Sequence, residues 1–207
     1  MEHIGQVIGS LKPGQSTEHP MSTENHAAPD KTVFGVTNGH HTFRAFKQVG
    51  GTKEAYKAFK DLADGKGPPF LFCYGGVGNG KTHLLEALAI ALQARGMPPR
   101  LWVVPELLAY FRAVMDDKER NVDVIIANYQ RGGALLLDDL GMEYGTNWEQ
   151  SVLERIINGR YRNRAITAVT SNRDLDELPE RVVSRFFEPG VGIVVLNKGA
   201  DYRRSDG

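Results

Sequence analysis

The chain has 207 residues, of which 41% are hydrophobic, and its 25 Lys and Arg balance its 25 Asp and Glu to a net charge of zero. This length fits one ordinary domain plus an additional segment, and the neutral balance excludes a protein that is basic throughout. The single cysteine, Cys73, excludes an internal disulfide and fits a reducing cytoplasm. No apolar run approaches the ~20 residues that span a bilayer, so we expect a cytoplasmic protein without a membrane partner.

The N-terminal segment, residues 1–41, is rich in Gly, Ser, Thr, Pro, His and Asn and is predicted to be flexible. Within it, a short helix over about residues 3–11 is indicated by four apolar residues at the spacing of one helical face, Ile4, Val7, Ile8 and Leu11. A helix this short is marginal in water, so it is either a partner-binding helix or a frayed tail. Residues 42–207 are predicted to form the globular domain.

Short apolar strands alternate with helices in the rest of the chain, as in a parallel sheet that helices cover on both faces. The predicted strands span residues 70–74, 101–104, 134–138, 166–170 and 191–196. The predicted helices span residues 52–63, 81–94, 105–115, 121–130, 148–162 and 179–187.

Residues 75–82 match the phosphate-binding pattern G-x-x-x-x-G-K-[ST] at every fixed position, between a predicted strand and a predicted helix. Glycines let the backbone approach phosphate oxygens, and the helix N-terminus adds its positive dipole end. Lys81 is predicted to contact the β- and γ-phosphates of ATP, and Thr82 to bind Mg²⁺. The predicted phosphate-binding loop consists of Gly75, Gly76, Val77, Gly78, Asn79, Gly80, Lys81 and Thr82. A Gly-rich turn without a ligand is the alternative.

Two adjacent carboxylates, Asp138 and Asp139, follow the apolar residues 134–137. Unpaired carboxylates at the end of a buried strand are costly, and a magnesium–phosphate site would offset that cost. Asp138 is predicted to bind Mg²⁺ through water, and Asp139 to orient or deprotonate the attacking water. The alternative for Asp139 is a cap on the following turn. Because many ATPases have a longer glutamate here, the aspartate predicts slow hydrolysis.

Polar residues also follow the strand predicted at residues 166–170. Asn172 is the first candidate to position the attacking water and Thr170 the second, although Asn172 also suits a turn or a helix cap. Arg181 and Arg185 are four residues apart and therefore share a helix face. An arginine fork suits a γ-phosphate bound by a neighbouring subunit, whereas pairing with nearby glutamates is the alternative. Arg185 is the favoured candidate.

Several motifs together resemble one known family. They are Thr42-Phe43-x-x-Phe46, Gly75–Thr82 followed by His83, Leu135-Leu-Leu-Asp-Asp-Leu-Gly141, Ile156-Ile-Asn-x-Arg160-Tyr161, Thr170-Ser-Asn172, Ser184-Arg185-Phe186 and Asp201-Tyr-Arg-Arg204. The set covers about residues 42–204 and is similar to the DnaC/DnaI-type replicative helicase loaders, AAA+ proteins close to the IstB transposition ATPases.

The resemblance implies an α/β AAA+ P-loop NTPase with a parallel five-stranded sheet flanked by helices and no C-terminal lid domain. It implies ATP and Mg²⁺ as cofactors, self-association into a ring or spiral, and contacts with single-stranded DNA and a replicative helicase. It adds His83 to the nucleotide site. It places Asp138, Asp139, Asn172 and Arg185 at the magnesium, catalytic, first-sensor and trans-acting arginine positions. The polar residues 1–41 depart from the family, which usually has a folded N-terminal module.

A stretch of aromatic and basic residues after the second strand is the candidate DNA-binding surface, because bases stack on aromatic rings and phosphates pair with cations. Its members are Tyr110, Phe111, Arg112, Lys118 and Arg120. The alternative is that Tyr110 and Phe111 are core residues at helical spacing. A second basic cluster, which suits a subunit interface equally well, consists of Arg160, Arg162 and Arg164.

Four functions remain open at this point. The leading hypothesis is an ATPase that loads or escorts a replicative helicase onto single-stranded DNA. The second is an IstB-like transposition ATPase that acts on target duplex DNA. The third is a small-molecule P-loop kinase, against which the Thr-Ser-Asn strand end and the Ser-Arg-Phe helix argue. The fourth is an adaptor that binds ATP as a switch without hydrolysing it, which the short Asp139 keeps open.

Overall fold

The computed structural model describes residues 39–141 and 146–202, and its centre is a sheet of five parallel strands. In chain order the strands are β1 (Phe70–Tyr74), β2 (Arg100–Val103), β3 (Leu135–Asp138), β4 (Thr167–Ser171) and β5 (Gly192–Leu196). Their spatial order is β2-β3-β4-β1-β5, so β4 lies between β1 and β3. The predicted α/β fold with five parallel strands is confirmed. The helix predicted over about residues 3–11 lies outside the described residues.

Helices connect these strands and cover both faces of the sheet. They are α1 (Lys53–Ala63), α2 (Lys81–Ala94), α3 (Val104–Asp116), α4 (Val122–Arg131), α5 (Asn147–Arg162) and α6 (Glu180–Val183). Local sequence signals fix several helix ends. The Asn121 side chain accepts hydrogen bonds from the first turn of α4, and Thr146 and Glu149 form a reciprocal capping box at α5. Strand and helix bounds agree with the predicted ones to within one residue, with one exception.

The exception is the helix predicted over residues 179–187. It is divided into the single turn of α6 and a following 3₁₀ turn, Ser184–Phe186. In a 3₁₀ turn residues three apart lie on the same side, so Val183 and Phe186 both point inward. Phe186 is completely buried, with its ring centroid 5.1 Å from that of Phe70 and 5.4 Å from that of Phe72. Burial of the Phe186 ring in the core is therefore accompanied by a 3₁₀ turn in place of a continuous α-helix.

Two hydrophobic cores lie on the two faces of the sheet. Side chains alternate along β1, so Phe70 and Phe72 pack under α3, α4 and α5, whereas Leu71 and Cys73 pack under α1 and α2. Burial raises the pKa of the Cys73 thiol to about 12, so this cysteine is a small, protonated side chain of the core. No helix in the described parts of the chain has the length and apolarity needed to cross a membrane.

Arg160 on α5 is buried inside the domain, with 1% of its surface exposed. Its Nε donates to the Thr167 hydroxyl at 2.8 Å, and its two terminal nitrogens donate to backbone carbonyls. These carbonyls belong to Tyr129 at 2.6 Å, Gly132 at 3.2 Å, Gly133 at 2.5 Å and Ile166 at 2.7 Å. The guanidinium thus joins the end of α4 to the starts of β3 and β4. The prediction that Arg160 belongs to a basic surface cluster is wrong, because these internal acceptors take all its donors inward.

Replacing Arg160 with alanine should lower the free energy of unfolding by about 3 kcal/mol or more, because several buried carbonyls would lose their donor. Arg160→Lys should recover little of this loss, since one ammonium group cannot reach acceptors on both sides of a planar fork. Urea denaturation measures the difference. The exposed neighbour provides the control, and Arg162→Ala should stay within about 0.5 kcal/mol of the wild type. Equal losses for the two alanine variants would contradict the structural role of Arg160.

Candidate functional site

The glycine-rich loop between β1 and α2 has a backbone that only glycine adopts easily. Gly75, Gly78 and Gly80 have φ angles of +138°, +76° and +89°. A Cβ atom on Gly80 would lie 2.8 Å from the Phe46 ring, and one on Gly75 would collide with the Asn197 carbonyl. The loop is therefore enclosed between the N-terminal residues of the domain and the segment that follows β5.

Lys81 directs its ammonium group into the centre of this loop. Its Nζ donates to the carbonyls of Gly75 at 2.8 Å and Gly76 at 2.7 Å, and to Oδ1 of Asn79 at 3.0 Å. Burial lowers the pKa of Lys81, and the nearby Asp138 carboxylate opposes this shift. A positive charge held among loop amides, at the N-terminus of a 14-residue helix, is suited to bind an anion with several oxygens.

Asp138 at the end of β3 meets two hydroxyl groups. Thr82 donates to its Oδ2 at 2.9 Å, and Thr170 at the end of β4 donates to its Oδ1. A carboxylate and a hydroxyl beside an anion site are the hard oxygen donors that Mg²⁺ takes together with phosphate and water. The described residues contain no cluster of three His, Cys, Asp or Glu that could hold a metal without such help. The residues present thus fit a magnesium ion that phosphate shares.

The two remaining predicted catalytic residues of the same strand ends are in direct contact. Asn172 donates from Nδ2 to Oδ1 of Asp139 at 2.6 Å. The backbone at Asp139 is left-handed, with φ +58°, and its N–H donates to the Thr170 hydroxyl at 3.2 Å. This conformation is uncommon for a residue other than glycine and turns the chain away from β3 directly after Asp138. The predicted sites Asp138, Asp139, Thr170 and Asn172 therefore form one connected group.

A cleft of about 610 Å³ joins this polar group to an aromatic end. The aromatic end is lined by His41, Phe46, His83 and Tyr202. The His83 ring is stacked on His41 at 4.5 Å, and its Nε2 lies 3.0 Å from the Thr42 carbonyl. Burial lowers the pKa of His83, which favours a neutral ring that donates to that carbonyl. An apolar wall at one end and cations, amides and carboxylates at the other suit a ligand with a flat ring and an anionic tail.

The segment after β5 supports the glycine-rich loop. The sequence analysis did not identify Asn197, the first residue of this segment, as part of the site. Asn197 donates from its side chain to the Asn79 carbonyl at 2.9 Å, and the Asn79 side chain donates to the Asn197 carbonyl at 2.8 Å. Both side chains are 1% exposed. Farther on, the Tyr202 N–H donates to the Gly78 carbonyl at 3.0 Å, and its hydroxyl donates to the Lys47 carbonyl. The only available signal was a polar residue directly after the last apolar strand.

The predicted arginines lie outside the cleft lining. Arg185 donates from Nε to Oδ1 of Asn158 at 2.9 Å, and its guanidinium lies over the Tyr161 ring. Arg181 has an 83% exposed side chain, and one of its nitrogens is 3.8 Å from a Glu154 oxygen. The two arginines thus contact residues four apart on α5, and they differ in exposure and in the number of side chains that hold them.

The candidate DNA-binding residues divide into buried and exposed members. Phe111 is completely buried, so its prediction as a DNA contact is wrong, because no base can reach a ring enclosed in the core. Tyr110 is half-buried and stacked on Trp102 at 5.6 Å. Arg112 pairs with the buried Glu149, and Arg120 lies 3.3 Å from Asp117. The basic side chains Arg112, Lys118 and Arg120 are exposed, so a phosphate contact there stays a prediction.

Comparison with protein families gives a match to the bacterial DnaA ATPase domain over residues 37–195, which is most of the chain. The chain belongs to the bacterial DnaA ATPase-domain family. Among its relatives, the chromosomal replication initiator protein DnaA of Limosilactobacillus reuteri is 31% identical over 183 residues, which are 84% of this chain and 40% of that protein. This chain spans 40% to 44% of the length of the curated DnaA proteins it matches first.

Solved structures place the DnaA-family chain among AAA+ domains. Replication initiator DnaA bound to AMPPCP and single-stranded DNA superimposes with a TM-score of 0.67 at 25% identity, covering 78% of this chain and 51% of that one. The crystal structure of the DnaC helicase loader gives a TM-score of 0.65 at 23% identity, covering 76% of this chain and 97% of that one. The second likeness concerns the fold alone. The AAA+ prediction is confirmed, and the findings favour DnaA over the predicted DnaC/DnaI type.

The paired asparagines of this DnaA-family domain should be thermodynamically coupled. Asn79→Ala and Asn197→Ala should each lower the free energy of unfolding by about 2 kcal/mol, because each leaves the other's buried polar groups unsatisfied. The double variant should lose less than the sum, by about 1 kcal/mol or more. A double-mutant cycle by chemical denaturation measures this coupling, and strictly additive losses would contradict the reciprocal bridge.

Proposed function

We propose that this chain is an AAA+ protein that binds and slowly hydrolyses ATP and acts in DNA replication. The observation that carries the proposal is the position of Lys81. Its ammonium group lies inside the glycine-rich loop, and the Thr82–Asp138 hydrogen bond of 2.9 Å begins at the next residue. Membership of the DnaA ATPase-domain family supports the nucleotide and the replication context.

Binding of ATP uses the two ends of the cleft differently. The N–H groups of residues 75–82 and the N-terminus of α2 contact the phosphates, and Lys81 exchanges its loop carbonyls for β- and γ-phosphate oxygens. The flat base lies at the aromatic end, beside Phe46, His83 and Tyr202. The solved structure of replication initiator DnaA bound to AMPPCP supports the choice of nucleotide, because AMPPCP is an ATP analogue.

The strand ends supply the metal ligands and the water-positioning groups. Thr82 and Asp138 hold Mg²⁺, which neutralises charge on the phosphate oxygens when it is bound. Asn172 and Asp139 hold the attacking water, and Asp139 accepts its proton as the water oxygen bonds to the γ-phosphorus and the bond to the bridging oxygen breaks. The 2.6 Å contact between these two side chains supports a shared role. The short reach of aspartate makes this step slow.

The client of the ATPase is a second part of the proposal. The protein self-assembles and contacts single-stranded DNA through the exposed side chains of Arg112, Lys118 and Arg120. The DnaA structure bound to single-stranded DNA supports the choice of this nucleic acid. Escort of a replicative helicase is the finer proposal, which rests on the motifs that are similar to those of the helicase loaders. A transposition ATPase is the competing client assignment. The family match argues against a small-molecule kinase.

Lys81→Ala should weaken ATP binding by at least roughly 30-fold, because it removes the main side-chain charge on the phosphates. Titration with a fluorescent ATP analogue in the presence of Mg²⁺ gives the dissociation constant. The matched control is Lys57→Ala, an exposed lysine paired with Asp61 on α1, which should bind like the wild type. Unchanged affinity in a folded Lys81→Ala protein would reject the nucleotide site.

Light scattering after size exclusion should separate the possible clients. We expect a stable complex with a replicative helicase in the presence of ATP, because escort requires a persistent contact. Assembly on DNA without any bound helicase would favour the transposition ATPase. A monomer under every condition, with and without ATP and single-stranded DNA, would contradict both.

A further inference from the structure

Arg185 is held by two side chains that lie one turn apart on α5. Asn158 accepts a hydrogen bond from the Nε of Arg185 at 2.9 Å. The guanidinium carbon lies 5.1 Å from the centroid of the Tyr161 ring, which is the geometry of a cation–π contact. Because one contact holds Nε and the other holds the guanidinium carbon near the ring, the long side chain is restricted to fewer conformations.

These contacts leave the outer end of the fork available. Neither terminal nitrogen of Arg185 has a hydrogen bond or an ion pair with another part of the described chain. The two terminal groups of a guanidinium bind phosphate oxygens in parallel, so this is the end that a phosphate needs. Arg185 is half-buried, which limits its motion while leaving the outer end reachable.

Tyr161 is itself fixed. Its hydroxyl donates to the Glu188 carboxylate, and its ring meets the Phe70 ring edge-on at 6.1 Å. The hydrogen bond to Glu188 raises the pKa of Tyr161, which keeps the phenol protonated. Arg164 also lies over this ring, at 5.6 Å. The aromatic platform under Arg185 is therefore anchored at its edge in the core and at its hydroxyl.

Arg181 provides an internal comparison. It lies four residues before Arg185, yet its side chain is 83% exposed. Its ion pair is with Glu154, where a terminal guanidinium nitrogen lies 3.8 Å from a carboxylate oxygen. An exposed pair at this distance restricts a side chain little. Two side chains, those of Asn158 and Tyr161, therefore orient Arg185, whereas no comparable pair of contacts orients Arg181 in the described part of the chain.

We propose that Asn158 and Tyr161 are positioning residues that preorganise Arg185 for the γ-phosphate of ATP bound by a neighbouring copy of this chain. The inference rests on the proposed ATPase function. A fork already oriented before assembly loses little conformational freedom when the neighbouring site closes on it. Asn158 and Tyr161 act only through Arg185 and contact no nucleotide themselves.

The test is steady-state ATP hydrolysis by full-length variants, with single-stranded DNA present to promote assembly. Asn158→Ala and Tyr161→Leu should lower kcat by roughly 10- to 100-fold and leave the KM for ATP unchanged, because the cis nucleotide site is intact. Tyr161→Phe keeps the ring and should retain most activity. Arg155→Ala is the matched control on α5, since Arg155 pairs with the exposed Asp123, and it should behave as the wild type.

Mixing separates a positioning role from simple loss of folding. The variants Asn158→Ala and Tyr161→Leu keep an intact nucleotide site, whereas Asp139→Ala keeps an intact Arg185. Equimolar mixtures of either variant with Asp139→Ala should recover turnover, because the second protein supplies a well-oriented arginine to the first. Recovery would also require that both proteins fold and assemble.

The outcomes distinguish this inference from the proposed function. A wild-type protein that neither binds nor hydrolyses ATP would overturn the proposed function. A wild type that hydrolyses ATP, together with Arg185→Ala that is inactive and Asn158→Ala and Tyr161→Leu that are fully active, would overturn the inference alone. Failure of Asp139→Ala to restore the two positioning variants would also overturn it.

Discussion

The parallel pairing of β4 with β1 on one side and β3 on the other determines where the polar groups of the site lie. Because all three strands run in the same direction, their carboxyl ends open on one edge of the sheet. The loop after β1, the carboxylates after β3 and Asn172 after β4 are thereby brought together from positions up to 97 residues apart, from Gly75 to Asn172. The two hydrogen bonds that link Thr82 and Thr170 to Asp138 are a direct result of this strand order.

Two buried cations illustrate how the domain treats charge. Lys81 and Arg160 both satisfy their donors with backbone carbonyls and neutral side-chain oxygens. At Arg160 the acceptors come from several elements and the arrangement is structural. At Lys81 they all come from the glycine-rich loop, and we propose that phosphate oxygens replace them when ATP binds. The same kind of hydrogen bonding therefore stabilises the fold at Arg160 and prepares the proposed phosphate site at Lys81.

Sequence patterns predicted what depends on local order and strand adjacency. The strands, the loop around Lys81 and the placement of Asp139 and Asn172 after strands follow from apolar periodicity and from the parallel sheet, whereas their direct contact is seen only in the structure. Burial of Arg160 and Phe111, and the bridge from Asn197 to the loop, depend on which elements meet in space, and composition carries no such information. The motifs that resemble the helicase loaders belong to the ATP-binding site and fold that DnaA and DnaC share. They therefore indicated the AAA+ superfamily correctly, but they did not distinguish the DnaA family from the DnaC/DnaI type.

Residues from both ends of the described chain line the cleft. Lys47, near the beginning of the described residues, accepts the hydrogen bond of the Tyr202 hydroxyl, and the Tyr202 backbone holds Gly78. A ligand in the cleft would therefore lie beside residues from both ends of the described chain, Phe46 and Tyr202, as well as beside the glycine-rich loop. Its binding would couple these two distant parts of the chain to each other.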